Sequence, residues 1–415
     1  MIKLLVVTVT VLNAGLIAVP ATGVPATRPD IDSVRTWNEL AVDAVRLNRA
    51  TDADAARLYA MVGVAVFDAI NGITRQRTPG LVPATGPHHA DQQAAAAAAA
   101  HAVLTRLDPA RSSGYDAQLT ADLGELGATT PAVTRGAAWG DRVGEQVVAA
   151  RTGDGSTPVA SQPAGSGPGV FRAAWSGVQY RDVAPFAADD PARYAPGPPP
   201  ALTSSAYADA FAEVAVLGDA GRLAPELLAT YQFWSLPPGS SQPPGEWLRI
   251  ALTVSADRHL PLAEQARLTA LLTMALADTT VATVATKYAY RHWRPTTAIR
   301  EADTDGNAAT APDPAWSPRA GSAGGSPEYV SGHSSYSGAG ATVLAAFFHR
   351  DHVTFRHATD SAPGGVARAY PSFSAAAAEA GVSRIYGGQH FGFSNRAGLA
   401  LGRAVATEVV LTSLR

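Results

Sequence analysis

The sequence feature that most constrains the fold is a run of 33 residues between Pro261 and Pro295 without glycine or proline. Leucine and alanine, which are strong helix formers, dominate this run. It predicts one long helix that Pro295 ends, because the proline ring removes a hydrogen-bond donor and restricts the preceding residue. Its apolar part, residues 268–284, has the composition of a membrane span, but Asp278 and neighbouring threonines favour a buried core helix.

Most of the remaining chain also has the apolar spacing of helices. The first two helices are predicted to begin at Asp32 or Ser33 and at Thr51 or Asp52, whose side chains cap free backbone N–H groups. No convincing run of alternating strand residues is found. Frequent alanine predicts close packing, and the expected fold class is all-α, a large helical bundle. Further helices are predicted at residues 94–107, 131–151, 207–217, 225–234 and 246–255.

Composition and the N-terminal residues bound the possible functions. A net charge of −3 gives no basic excess for binding nucleic acid, and a chain without cysteine takes no stability from disulfides. An apolar run after Lys3 ends in small residues at Ala21 and Ala26, which predicts a signal peptide at residues 1–26 and secretion; an uncleaved anchor is the alternative. Because residues 268–284 are interpreted as core, no integral membrane domain is expected.

Residues 27–415 are predicted to form a single helical domain. Residues 27–250 would supply supporting helices, and residues 251–415 the catalytic, anion-binding core. Between 152 and 202 the composition changes to proline, glycine, serine and aspartate, which indicates either a linker or, preferably, a long ordered excursion over the bundle. A second irregular stretch, residues 301–329, is expected to form a wall of the active-site mouth, since long loops next to chemistry are often functional.

Three short islands of charged, hydroxyl and imidazole residues interrupt the apolar C-terminal part. They read KYAYRHWRP from Lys287, EYVSGHSSYSG from Glu328 and SRIYGGQHF from Ser383. In the first island Lys287 and Arg294 are seven residues apart, which is two helical turns and predicts one shared face.

The second and third islands lie at the ends of predicted helices. Ser331 and Gly332 precede His333 and an alanine-rich helix, whose first N–H groups are free to bind an anion. Arg384 lies at the end of another predicted helical segment, Phe373 to Tyr386, and His390 follows six residues later, beyond a glycine turn. The cations, hydroxyl, amide and imidazoles together predict a pocket for a tetrahedral oxyanion, because Arg and Lys bind such oxygens through charge-assisted hydrogen bonds.

The ordered pattern K-x6-R-P, S-G-H and S-R-x5-H resembles that of the vanadium-dependent haloperoxidases and the type 2 phosphatidic acid phosphatases, one superfamily with one anion site. Residues 37–71 and the segment GLALGRAVATEVV are similar to its bacterial haloperoxidase-like branch. The resemblance implies an all-α bundle of that type. It also implies vanadate as cofactor, in competition with phosphate, and no haem.

The resemblance further implies a role for each matching residue. His390 would be the metal ligand of vanadium, or the phosphorylated nucleophile of a phosphatase, and His333 the catalytic acid and base. Nearby cations should favour the neutral form of His333, and a bound oxyanion should raise its pKa again. The oxygens of the anion would be held by five residues, Lys287, Arg294, Ser331, Gly332 and Arg384.

Two reactions are implied by this one pocket. A haloperoxidase oxidises halide with hydrogen peroxide to hypohalous acid, which halogenates a small organic acceptor. The alternative is a soluble acid phosphatase that hydrolyses phosphate esters through a phosphohistidine. The residues of the second and third islands favour the haloperoxidase. Ser326 stands where fungal and algal members have an aromatic residue or His near the halide, and Val330 replaces a proline, so bromide is expected rather than chloride.

Overall fold

A computed structural model describes residues 31–362 and 364–415 of the chain. The signal peptide expected at residues 1–26 lies outside the described residues. Helices dominate the part that is described, which confirms the all-α helical bundle. The helices are α1 (Ser33–Asn48), α2 (Asp52–Thr74), α3 (Gln92–Leu107), α4 (Ser112–Leu126), α5 (Pro131–Ala150), α6 (Ser205–Leu217), α7 (Pro225–Phe233), α8 (Gln242–Asp257), α9 (Leu262–Tyr290), α10 (Pro295–Arg300), α11 (Gly332–Phe347), α12 (Phe373–Tyr386) and α13 (Gly392–Thr412).

Helix α9 is the centre of the bundle, and α2, α8, α11 and α13 all pack against it. Every residue from 268 to 284 is buried, which confirms the interpretation as a core helix. In the described part of the chain, α2 and α9 are both long and apolar enough to cross a membrane by length and composition, and both are mostly buried inside the protein. The sequence interpretation missed α2 as a second such helix because Asp68 interrupts its apolar residues.

Small residues let the helices approach closely, as the alanine content predicts. A Cβ atom added to Gly140 of α5 would lie 2.1 Å from the carbonyl oxygen of Ala95 on α3. One added to Gly402 of α13 would lie 1.9 Å from the carbonyl oxygen of Ser335 on α11. Neither contact tolerates a side chain, so glycine is required at both positions. The second contact fixes the helix that carries the second island.

The first two helices begin at the predicted capping residues. The Asp32 side chain accepts the N–H of Arg35, and α1 follows from Ser33. The Thr51 hydroxyl accepts the N–H of Asp54, and α2 follows directly. These caps satisfy donors that a helix leaves free at its start.

Two small antiparallel hairpins correct the expectation that no strands form. Strands β1 (Ser161–Gln162) and β2 (Trp175–Ser176) pair in one, and β3 (Phe355–Ala358) pairs with β4 (Ala367–Tyr370) in the other. Side chains along β3 alternate between buried and exposed. A run of four residues is too short for this alternation to be recognised in the sequence.

The proline- and glycine-rich segment 152–202 is anchored on α9. Backbone N–H groups of Phe186, Ala187 and Ala188 donate to the carboxylate of Asp278, at 2.7, 2.9 and 2.8 Å. The one carboxylate in the buried stretch 268–284 of α9 therefore holds a distant segment against the core.

Candidate active site

The two cations of the first island are both buried near the C-terminal end of α9. Lys287 is 5 % exposed, and its ammonium group donates to the carbonyl of Pro327. Arg294 is also 5 % exposed, and its guanidinium donates to the carbonyl oxygens of Ser326 and Gln389, each at 2.8 Å. The irregular stretch 301–329 thus lies against both cations, as expected for a wall of the site.

The route by which Arg294 reaches Lys287 differs from the prediction. Helix α9 ends at Tyr290, because Arg291 adopts a left-handed conformation with a φ of 48°. Pro295 begins α10 rather than ending α9, since a missing N–H costs nothing in a first helical turn. The two cations therefore do not share a helix face, and Arg294 returns to the site from the cap of α10.

Helix α11 presents its N-terminus to the site. Ser331 is the capping residue, and its hydroxyl accepts the N–H of Ser334 at 3.3 Å and lies 2.9 Å from the Ser334 hydroxyl. The first N–H groups, including that of Gly332, have no acceptor within the helix. From a Cβ built on Gly332, the nearest atom outside the helix backbone is Oδ2 of Asp52 at 3.7 Å, so there is space beside this amide. Because the Ser331 hydroxyl serves the cap, its contact with an anion stays a prediction.

Arg384 reaches the site from the end of α12, whose bounds are those predicted. Its guanidinium bonds to Oε1 of Gln389 through Nη2, and Nη1 lies 3.4 Å from the carbonyl of Trp234. Its buried Nε has no hydrogen-bond partner among the described residues. The Tyr231 ring lies 5.3 Å from the guanidinium carbon. Arg384 therefore keeps a buried donor unused by the protein.

His390 is 3 % exposed and has partners at both ring nitrogens. Nδ1 lies 2.9 Å from Oε1 of Glu328, and the same oxygen accepts the N–H of Phe391 at 3.0 Å. A carboxylate only accepts hydrogen bonds, so an ionised Glu328 fixes the ring proton on Nδ1. The lone pair of Nε2 then lies 2.9 Å from Nη1 of Arg294. His390 thus offers an unprotonated nitrogen, suited to bonding a metal or attacking phosphorus, next to a cation.

Positive charge exceeds negative charge at this site. Burial lowers the pKa of Lys287 far below its usual value, and the nearby Arg294 adds to the effect. Burial also lowers the pKa of Arg294 and of Arg384, each to about 10. Burial raises the pKa of Glu328 to about 7, against the pull of Arg294, and raises that of Asp52 against the pull of Lys287. A bound oxyanion would raise the lowered pKa values of Lys287, Arg294 and Arg384 by supplying negative charge, and it would add to the raised pKa values of the two carboxyl groups.

His333 is half-buried at the start of α11. Burial is the largest cause that lowers its pKa well below the usual value, and Arg384 is the next. The expected neutral form is therefore confirmed, although desolvation outweighs the cations. Nε2 lies 3.2 Å from the carbonyl of Ser235. A carbonyl only accepts, so the neutral ring carries its proton on Nε2 and leaves Nδ1 as the basic nitrogen.

Comparisons with known proteins agree with this geometry. Residues 267–414 match the family model described as the VCPO second helical-bundle domain. The solved structure of the first bacterial vanadium-dependent iodoperoxidase is 22% identical with a TM-score of 0.79, over 92% of this chain and 96% of that one. Holo- and apo-type structures of a bacterial vanadium-dependent chloroperoxidase are each 17% identical, with TM-scores of 0.67 and 0.66, over 87% and 86% of this chain and 92% and 93% of theirs. A search of curated proteins found no significant match.

The chain has the vanadium haloperoxidase fold. The resemblance stated from the three islands is thereby confirmed at the level of the fold. The match to the family model covers all three islands, which begin at Lys287, Glu328 and Ser383.

Within the vanadium haloperoxidase fold, the two departures noted in the sequence have different surroundings. Ser326 accepts from Arg294 through its carbonyl, and its hydroxyl lies 3.4 Å from Nη2 of the same guanidinium. Val330 is fully buried in an apolar cluster with Trp293 and Phe391. The first position therefore contacts a predicted anion-binding residue directly, whereas the second packs in the apolar core.

Sequence reasoning missed four residues that the structure places at the site. Glu328 is the first residue of the second island. It is the one acid there among apolar and hydroxyl residues, and this could have indicated its role. Gln389 stands inside another island, directly before His390. Asp52 and Tyr231 come from α2 and α7, and no spacing in the sequence connects them to the islands.

Proposed function

We propose that this protein is a vanadate-dependent haloperoxidase, which oxidises halide with hydrogen peroxide to hypohalous acid. The observation that carries the proposal is the unprotonated Nε2 of His390 beside the Arg294 guanidinium, with Nδ1 tied to Glu328. A histidine ligand whose other nitrogen is fixed by a carboxylate is a common way to orient a metal-binding imidazole.

The residues present fit a vanadate ion. Arg384 has an unused Nε, the start of α11 has free N–H groups, and the buried cations outnumber the nearby carboxylates. Lys287, Arg294 and Arg384 would hold the oxygens, with the Gly332 amide, and His390 would bind through Nε2. Bound vanadate would supply Lewis-acid activation of peroxide towards attack by halide.

His333 is proposed as the group that moves the peroxide proton. Its neutral form is favoured by burial, and Nδ1 is its basic nitrogen because Nε2 faces the Ser235 carbonyl. A base with a lowered pKa gains affinity for a proton when an anion binds nearby. His333 would therefore be neutral in the empty site and more basic in the loaded one.

Bromide is the proposed halide rather than chloride. The small Ser326 stands beside Arg294, where a larger ring or imidazole would be needed to shape the halide site of the fungal and algal members. Chloride is the harder of the two to oxidise, so a less specialised site favours bromide. Iodide should be tested in parallel, because one of the similar solved structures is that of an iodoperoxidase.

One assay tests the proposal. Purified protein is freed of bound anions, supplied with vanadate, and mixed with bromide and a β-diketone whose absorbance falls on bromination. We expect bromination only when both vanadate and peroxide are present. If instead the protein hydrolyses p-nitrophenyl phosphate, vanadate inhibits that hydrolysis and no bromination occurs, the enzyme is an acid phosphatase and our proposal is wrong.

We also propose secretion, which rests on the apolar run after Lys3 and the small residues at Ala21 and Ala26. Protein recovered from the medium of expressing cells should begin after Ala26. Retention of the full N-terminus in the cell fraction would contradict this.

A further inference from the structure

A side cavity of about 350 Å³ opens next to the anion-binding residues. It lies between the start of α2, the segment 159–180 and the last turns of α9, and it shares Lys287 and Ser326 with the candidate active site. This volume is in the range of small-molecule sites. The lining of the cavity includes Asp52, Asp54, Trp175, Tyr180, Thr283 and Lys287.

Aromatic rings form one side of the side cavity. Trp175 is 5 % exposed, and its indole N–H is already donated to Oε1 of Gln162 at 2.7 Å. The Tyr180 hydroxyl is likewise donated to Oδ1 of Asp54 at 2.6 Å. Since both polar handles are used by the protein, these rings offer a ligand their apolar surface and π-electrons.

Two polar groups of the side cavity have capacity left over. The Thr283 hydroxyl is buried one turn before Lys287 on α9, and it has no hydrogen-bond partner among the described residues. On Asp52, Oδ1 accepts the N–H of Ala53 at 2.9 Å, and Oδ2 faces Gly332. Neither Asp52 nor Asp54 forms an ion pair in the described part of the chain. An unpartnered buried hydroxyl and an unpaired carboxylate both point to a ligand.

The position of Asp52 connects this cavity to the chemistry. Its carboxylate contributes to the cavity lining and also lies 3.7 Å from a Cβ position on Gly332, at the predicted anion site. A molecule held by Asp52 and the two rings would therefore lie against the place where hypohalous acid forms. Lys287 is the one cation among the described lining residues of this cavity, and the carboxylates of Asp52 and Asp54 outnumber it, so the cavity should favour a cationic acceptor over an anionic one.

We propose that the side cavity binds the organic acceptor, as a small electron-rich aromatic molecule carrying a protonated amine rather than a carboxylate. The assignment rests on the proposed haloperoxidase function for its chemistry. Hypohalous acid transfers halogen to the ring: the O–halogen bond breaks, a C–halogen bond replaces a C–H bond, and the ring proton leaves with the hydroxide as water. Asp52 holds the amine, Thr283 accepts or donates a hydrogen bond, and Trp175 and Tyr180 pack on the ring.

A matched pair of phenols tests the proposal without any turnover. Tyramine and 4-hydroxyphenylacetate share one ring and carry opposite charges at pH 8. Calorimetric titration into vanadate-loaded protein without peroxide, in which the cationic pocket is already occupied, should show tyramine bound at least about tenfold more tightly, which is the effect of one charge-assisted contact of about 1.4 kcal/mol. Equal affinity for the two phenols, or no binding of tyramine, would overturn the proposal.

Variants show whether the named residues cause the preference. Asp52→Asn should abolish it, and Asn is also tolerated at a helix start, so the fold is retained. Thr283→Val should weaken tyramine by a few-fold without changing the preference, and Asp209→Asn, an exposed acid on α6, should change neither. A preference that survives in Asp52→Asn would sink the assignment. If tyramine binds but the protein has no peroxidase activity, the side cavity is still a ligand site and the proposed haloperoxidase function is wrong.

Discussion

Two kinds of buried charge stand side by side in this molecule. Asp68 and Asp278 are buried carboxylates outside the three islands, and each accepts three backbone N–H groups from one segment. Lys287, Arg294 and Arg384 are buried cations, and among the described residues they bond to carbonyls, an amide, a hydroxyl and the His390 ring.

This contrast separates buried charges that stabilise the fold from buried charges expected to bind a ligand. A buried charge whose hydrogen bonds are completed by the chain holds segments together, as Asp278 holds residues 186–188. A cluster of like charges is costly to bury unless something else neutralises it. We therefore interpret Asp68 and Asp278 as residues that stabilise the fold, and we propose that the three cations bind a ligand. Substitutions at His390, at Glu328, at the cations and at Asp278 test this division.

The largest expected effect is on His390. Replacing it with Ala removes the unprotonated Nε2 beside Arg294, so bromide oxidation should fall roughly a thousandfold. The measurement is the initial rate of vanadate- and peroxide-dependent bromination. His352→Ala, at an exposed position, should keep the wild-type rate. A His390→Ala protein with more than about a tenth of wild-type activity would contradict the assignment of this ligand.

Glu328→Gln should have the next largest effect. The amide keeps the size of the side chain but no longer fixes the proton of His390 on Nδ1, so we expect a loss of about 10- to 100-fold in vanadate affinity or rate. Vanadate dissociation constants and bromination rates should be measured on the same preparation. Unchanged values for both would mean that the Glu328–His390 contact is only structural.

Substituting the cations should separate binding from stability. Lys287→Met and Arg384→Met each remove one charge-assisted contact, so vanadate affinity should fall about 10- to 100-fold. Without vanadate, both variants should unfold at the wild-type temperature or above it, because an uncompensated buried charge is lost. Arg350→Met, at an exposed position, is the control for both measurements. If these variants unfold at a lower temperature than wild type and still bind vanadate with wild-type affinity, the cations stabilise the fold and do not bind the ligand.

Asp278→Asn should have the opposite pattern and the smallest effect on function. An amide cannot accept all three N–H groups from residues 186–188, so the free energy of unfolding at pH 8 should fall by about 1 to 3 kcal/mol. Vanadate affinity should stay within about twofold. Urea unfolding and vanadate titration measure the two quantities. A large change in affinity with unchanged stability would contradict the structural role.

The pH dependence of the same variant sharpens the test. Burial raises the pKa of Asp278 to about 6, despite the amide donors that oppose it. The folded protein therefore binds a proton that the unfolded chain has lost between about pH 4 and 6, and this contribution to stability declines as pH rises through that range. The stability difference between wild type and Asp278→Asn should accordingly be larger at pH 4 than at pH 7.

Local patterns in the sequence predicted most of the elements but not how distant ones meet. The bounds of α12, the caps at Asp32 and Thr51 and the buried core of α9 follow from spacing and composition. The end of α9 does not follow from them, because the left-handed backbone conformation of Arg291 is set by the backbone contacts of Phe171 and Trp293 around it.

The candidate site was predictable where its residues stand in short ordered motifs. Arg384 and His390 come together because a helix end and a glycine turn fix their separation. Asp52 and Tyr231 were not predictable, because long-range packing of α2 and α7 brings them there. Glu328 stands in the second island, but its role was not recognised, since only the folded chain shows its oxygen next to His390.

The most direct test of the division is calorimetric titration of vanadate into wild-type protein, Arg294→Met and Asp278→Asn. We predict that wild type and Asp278→Asn each bind one equivalent of vanadate with similar affinity, and that Arg294→Met binds vanadate at least about tenfold more weakly. No binding by wild type, or equal binding by Arg294→Met, would contradict it.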